Sequence, residues 1–252
     1  MSNGTTRGSV LSLPIDVISY STAVAQILHW AMYRESRYIC AANVHMFMEA
    51  QDDPRLAECI QRADLVTADG MPLVWALRAQ GFRRATRVYG PDLMLLLCEA
   101  AARLQIPVGL FGSTPAVMSD LRHRLVERFP SLRIPYSFSP PQRVAGAPEE
   151  GSTLQALAAS GAALLFVGLG CPKQELWMAS QRGRLDLVMV GVGAAFDFHS
   201  GHVRQAPRLL QRFGLEWAFR LSQEPKRLAG RYLRHNPEFL YRWLSSRCHS
   251  GR

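Results

Sequence analysis

Apolar positions along the first two hundred residues fall into two alternating patterns. Short apolar runs at Tyr38–Ala42, Leu65–Ala68, Val108–Phe111, Ala163–Gly168 and Asp186–Val192 have the length and composition of buried strands. Between them lie segments with helical spacing. Thr22–Arg34 carries Val24, Ile27, Leu28 and Met32 on one face, and Val44–Ala50, Pro54–Arg62 and Met71–Ala79 follow suit. So do Pro91–Leu104, Pro115 to about Arg128, and Thr153–Ala159. Val10–Val17 predicts one or two strands interrupted at Pro14, and Leu132–Phe138 a further strand. Gly81–Arg87 reads as a basic loop and Ser139–Gly151 as a Pro- and Gly-rich one. After Gly201 the pattern changes to short helices punctuated by Pro207, Gly214, Pro225, Gly230 and Pro237.

Strand–helix alternation from Tyr38 to about Gly193 is the pattern of an α/β fold, a mostly parallel Rossmann-like sheet flanked by helices. The expected division is an α/β catalytic domain at 1–203 and a helical C-terminal appendage at 204–252. Ligands of such sheets gather at the carboxyl ends of strands. Asn43, Asp69 and the turn from Gly168 to Gln174 fall there.

That turn follows a buried strand and precedes a helix opening near Pro172, where a missing N–H costs nothing. Gly168 and Gly170 permit close backbone approach, and a helix N-terminus offers free N–H groups to an anion such as a diphosphate. The turn is neither G-x-G-x-x-G nor a P-loop, so a purely structural tight turn is the competing reading. Gln174 could hydrogen-bond a sugar or phosphate. Asp69 is either an N-cap or a general base taking a proton from a substrate hydroxyl. Asp92 and Asp197 carry the same ambiguity, and Arg87 is a loop charge or a phosphate partner.

Apolar content of 48% with 9% aromatic residues excludes a disordered chain. No apolar run approaches the roughly 18 residues a spanning helix needs, and the N-terminus has no signal-peptide pattern. Five cysteines without C-x-x-C pairing fit reduced thiols better than disulfides or zinc. His45, His199 and His202 are too loosely spaced for a metal motif, so neither a metal nor a cofactor is expected. Charge is uneven. From Arg204 onward, ten Arg and one Lys face only Glu216, Glu224 and Glu238, a net of +8 out of the chain's +9. The partner this suggests is an anionic surface, an acidic bilayer or a nucleic acid. Arg220, Arg227, Arg231 and Arg234 would share one helix face were Pro225 not expected to break the helix. No nucleic-acid-binding module accompanies these charges, so no nucleic-acid partner is expected.

The ordered segments Asn43 in AANVHM, Ala68–Pro72 (ADGMP), Arg87–Leu93 (RVYGPDL), Gly168–Glu175 (GLGCPKQE) and Gly191–Phe198 (GVGAAFDF) resemble the WecG/TagA/CpsF family of bacterial glycosyltransferases. The tail adds Gly214–Trp217 (GLEW), Arg220-Leu221 and Glu224–Arg227 (EPKR). The resemblance implies an inverting, metal-independent transfer from a UDP-sugar to a sugar on a lipid diphosphate, in cell-surface polysaccharide synthesis. It implies Asp69 as general base, with Asn43, Arg87, Asp92, Gln174 and Asp197 shaping the pocket. Arg220, Arg227 and Arg231 would reach the diphosphate from the tail. It implies a cytoplasmic enzyme, peripheral on the anionic inner face of the cell membrane, with a homo-oligomer left open. Ala41 stands where many relatives carry Thr, and Gln205 where Arg commonly precedes Ala-Pro. The alternatives are a nucleic-acid-binding protein using the basic tail and a nucleotide-dependent oxidoreductase. The missing G-x-G-x-x-G speaks against the latter.

Overall fold

The computed structural model describes residues 6–141 and 151–249, without the side chains of 247–249. The chain begins with a hairpin of β1 (Thr6–Val10) and β2 (Leu13–Val17). Leu11 and Ser12 turn it with φ of 50° and 65°, the conformation that matches the twist of paired strands. Pro14 therefore lies within β2, opposite Ser9, and does not interrupt it. Buried Asp16 holds the hairpin to the sheet. Its carboxylate accepts from Arg7 at 2.8 and 2.9 Å and from the Val66 N–H at 2.7 Å.

Next come α1 (Tyr20–Met32), β3 (Arg37–Ala42), α2 (Val44–Asp52), α3 (Pro54–Gln61), β4 (Leu65–Ala68), α4 (Met71–Ala79) and α5 (Gly90–Leu104). Then follow β5 (Val108–Gly112), α6 (Pro115–Arg128), β6 (Tyr136–Phe138), α7 (Gly151–Ala159), β7 (Leu164–Gly168), α8 (Lys173–Gln181), β8 (Val188–Gly191) and α9 (Ala195–Ser200). Helix starts follow local chemistry. Ser19, Asn43, Asp53 and Thr114 cap α1, α2, α3 and α6 through side-chain oxygens that accept backbone N–H groups. The predicted strand at Leu132–Phe138 shrinks to three residues at the sheet edge, where, among the described residues, only β5 pairs with it. Of the predicted loop at Ser139–Gly151, residues 142–150 lie outside those described, and Gly151 already belongs to α7.

The eight strands run in the order β1-β2-β4-β3-β8-β7-β5-β6, parallel except for the β1–β2 hairpin. The expected α/β architecture is therefore present. Helices cover both faces. One buried cluster joins Met46, Phe47, Leu73, Leu77 and Met178 from α2, α4 and α8. The other joins Ile27, Leu97, Leu121 and Phe196 from α1, α5, α6 and α9. Neighbouring strands β3 and β8 thus send their following helices to opposite faces, which opens a crevice at their carboxyl ends.

The C-terminal region consists of α10 (Arg208–Arg212), α11 (Glu216–Gln223) and α12 (Pro225–His249). The sequence pattern predicts only short helices here, whereas α12 runs 25 residues through Gly230 and Pro237. Tertiary packing overrides both breakers: Leu228 and Phe239 are buried, and Phe239 joins the cluster beneath α2. Pro225 does break the helix as expected, and so Arg220 lies on α11 while Arg227, Arg231 and Arg234 lie on α12.

Candidate active site

A cavity of about 400 Å³ occupies the β3/β8 crevice, roofed by α11 and α12. Ala41, Asn43, Asp69, Gly168, Gly191 and Gly193 line its floor from the strand ends. Arg220, Arg227, Arg231 and Tyr232 line it from above.

Asp69 does not cap α4. The N-cap there is Gly70, with no side-chain cap bond. The Asp69 backbone N–H is spent on Ala42 O at 2.8 Å, and its carboxylate accepts from the Gly90 N–H at 3.1 Å and from the Asn43 amide. Removal from water pushes its pKa up to about 7. Arg87 opposes that rise, Glu216 adds to it, and the two hydrogen bonds moderate it. A carboxylate in this range is half ionised near neutral pH, suited to taking a proton from a hydroxyl.

Arg87 lines the cavity, and its guanidinium is engaged by protein groups. Its Nε donates to the Asp69 backbone oxygen and its Nη2 to Glu216 Oε2 at 2.7 Å. The guanidinium lies 3.9 Å over the Tyr89 ring, and the Tyr89 hydroxyl donates to the other Glu216 oxygen at 2.8 Å. Arg87 therefore ties the carboxyl end of β4 to α11. Glu216 is the residue that sequence reasoning passed over. An acidic side chain in a strongly basic segment was the available signal.

Asn43 lines the cavity, but its Oδ1 caps α2 by accepting the Met46 N–H at 3.1 Å. Gln174 is buried and serves the protein itself: its Oε1 accepts from the Gly193 N–H at 2.9 Å and its Nε2 donates to Glu175 at 2.8 Å. It lies so close over β8 that a Cβ on Gly191 would stand 2.5 Å from its Nε2. Glu175, fully buried, has its pKa raised by desolvation. The first turn of α8 is thus filled by its own side chains. Gly168 has a packing role too, since a Cβ there would meet the Phe196 ring at 2.7 Å. Gly168→Ala is expected to cost about 1–3 kcal/mol through overpacking, read as a lower urea midpoint at unchanged slope. Gly170, at φ 76°, borders open space in the cavity wall.

Asp92 is not at the cavity. It accepts from Arg208 at 2.6 Å and from the Tyr20 hydroxyl at 3.4 Å, pinning α10 to α5. Asp197 does line the cavity. Burial raises its pKa, and Arg227 and Arg220 oppose the rise. Arg220 lies 5.5 Å over the Phe198 ring, and its buried Nε has no hydrogen-bond partner among the described residues. Burial pushes the Arg231 pKa down, and neighbouring Arg220 and Arg227 add to that. Arg234 turns away to Asp52 at 2.7 Å. Of the two departures, Ala41 lines the cavity wall, and Gln205 lies near the Tyr89 hydroxyl with its buried Nε2 lacking a hydrogen-bond partner among the described residues.

A carboxylate of raised pKa at a strand end and a cluster of guanidinium groups in one cavity suit transfer onto a hydroxyl with an anionic leaving group. The model of the glycosyl transferase WecG/TagA/CpsF family matches residues 8–252. The chain belongs to this family. It is thereby a glycosyltransferase of cell-surface polysaccharide synthesis, the first of the readings that the sequence offered. The match to the WecG/TagA/CpsF model runs through α10–α12. Among the described residues, no helix is long and apolar enough to cross a membrane.

Proposed function

We propose that the protein transfers a hexose-type sugar from a UDP-sugar to a hydroxyl of a lipid-diphosphate-linked sugar, with inversion at the anomeric carbon. Asp69 takes the proton from the acceptor hydroxyl as its oxygen attacks, and the donor C1–O bond breaks to release UDP. Arg220, Arg227 and Arg231 meet the diphosphate charge that develops, in place of a catalytic cation. The observation that supports this reading best is the convergence of those three side chains on the cavity that holds Asp69. Three cations crowded around a cleft, with Arg231 discouraged from its charge, are a site completed by an anion. Asn43 and Gln174 hold the floor, and Asp197 faces the Arg cluster where a sugar hydroxyl could bridge them.

The reading is tested with a panel of UDP-sugars and a short-chain lipid-diphosphate sugar acceptor. Acceptor-dependent UDP release with at least one donor is expected; release with none overturns it.

Residues 204–252 act in this reading as an appendage that roofs the site and meets the anionic inner membrane surface, making the enzyme peripheral there. Supporting this, α12 exposes Leu233, Leu240, Tyr241 and Leu244 beside its arginines, and α10 and the turn after it expose Leu209 and Phe213. Such a basic, apolar surface suits an acidic bilayer. The protein should float with vesicles containing anionic lipid, and less so at high salt. Replacing Leu240 and Leu244 with Asp should lower that binding at least tenfold, each buried Leu contributing about 1.5–3 kcal/mol. Unchanged flotation would leave α12 a structural element only.

A further inference from the structure

On the other side of α12 from its exposed apolar residues, three metal-ligating side chains meet that the sequence holds far apart. His45 and Glu49 sit one turn apart on α2, and His235 reaches them from α12, 190 residues after His45. His45 Nδ1 lies 3.7 Å from Glu49 Oε1, and His235 Nε2 lies 3.5 Å from that same oxygen. One ligand atom from each residue lies within 4.8 Å of the other two. Metal–ligand bonds of about 2.0–2.2 Å place tetrahedral ligand atoms about 3.4 Å apart, so both edges are near a coordination edge without rearranging the helices.

The two imidazoles now stack, with centroids 5.1 Å apart, and share one Nδ1–Nδ1 hydrogen bond of 3.1 Å. His45 would ligate through Nδ1, giving up the bond to His235 Nδ1, while its Nε2 is buried without a hydrogen-bond partner among the described residues. His235 is buried, and the cluster borders a second cavity of about 310 Å³, which leaves room for a fourth ligand. Arg231 and Arg234 also line that cavity and oppose a cation. Arg234 is paired with Asp52, and Arg231 also lines the main cavity, so Glu49 is left for the cluster.

We propose that His45, Glu49 and His235 bind one divalent transition-metal ion of zinc-like preference, which fastens α12 to α2. Two imidazoles and one carboxylate favour such an ion over magnesium or calcium, which take oxygen ligands. The i, i+4 spacing of His45 and Glu49 puts both on one helix face. His45 and His235 also line the wall of the main cavity, so the ion would be a staple at that wall, and the inference stands independently of which donor or acceptor is used.

The test uses the untagged full-length protein, cleared of metal with a chelator and titrated with Co²⁺ by absorption and Zn²⁺ by calorimetry. Expected are one saturable equivalent, the visible bands of low-symmetry four- or five-coordinate cobalt, and a higher Tm with zinc but not magnesium. His235→Gln and Glu49→Gln should each weaken binding at least tenfold and abolish the Tm gain, while His202→Gln on the surface changes neither. Should His235→Gln fail to fold, Glu49→Gln, at a half-exposed edge, carries the test. Absence of a saturable equivalent, or affinity unchanged in the folded variants, overturns the proposal.

Discussion

Asp69→Asn is expected to lower turnover about 10²–10⁴-fold while leaving fold and donor binding intact. The amide keeps an oxygen to accept the Gly90 N–H at 3.1 Å but cannot take a proton from the acceptor. Its stability should not fall. The Asp69 pKa stands at about 7 in the folded protein against 3.8 unperturbed, so between those values the folded state holds more protons than the unfolded one. Native stability contributed by this group therefore declines as pH rises through that window, and asparagine escapes the decline. Initial rates of UDP release at saturating donor and acceptor, with urea unfolding beside them, read both effects. A variant that transfers at the wild-type rate removes Asp69 from the chemistry.

Arg87→Met should be nearly as damaging, for a different reason. It leaves the Glu216 carboxylate, whose side chain is 16% exposed, without the cation at 2.7 Å, and removes the strut to the Asp69 backbone oxygen. The expected cost is about 3 kcal/mol, the low end for a broken buried pair, because some solvent reaches it. The loss should concentrate in α10–α12, seen as faster proteolysis there before global unfolding. Arg87→Met combined with Glu216→Gln should cost clearly less than the two changes summed. Additive costs would mean that the two side chains do not act on one another.

The strand–helix alternation made the parallel sheet legible, because strands buried on both faces are apolar throughout and glycine turns mark their ends. The opening hairpin was only half legible. Its turn rests on Leu11 and Ser12 at positive φ, a conformation for which neither residue is a signal. The length of α12 was hidden because Gly230 and Pro237 are breakers locally, and only packing of Leu228 and Phe239 against the body overrides them.

At the site, residues on strand ends were legible because topology alone sends them to one crevice: Asn43, Asp69, Gly168, Gly170 and Gln174 all line it. What their side chains do there was not. Gln174 and Asn43 spend hydrogen bonds on the scaffold, and Asp92 faces α10 instead of the cavity. Arg87 with Glu216, and His45 with His235, are contacts across more than a hundred residues, and no local spacing encodes them. Charge count indicated a basic tail. Only the fold shows that Arg220, Arg227 and Arg231 turn inward over the cavity while Arg234 pairs with Asp52.

The most direct measurement of Asp69 as the base is the pH dependence of kcat/KM for the acceptor in three proteins. In the wild type the rate should rise with pH through an acidic limb near 7, because only the ionised carboxylate accepts the proton. Arg87 holds the Asp69 pKa down and Glu216 holds it up, so the limb should move to higher pH in Arg87→Met and to lower pH in Glu216→Gln. A limb that stays in place in both variants, or a wild-type rate that falls as pH rises through 7, would contradict the assignment.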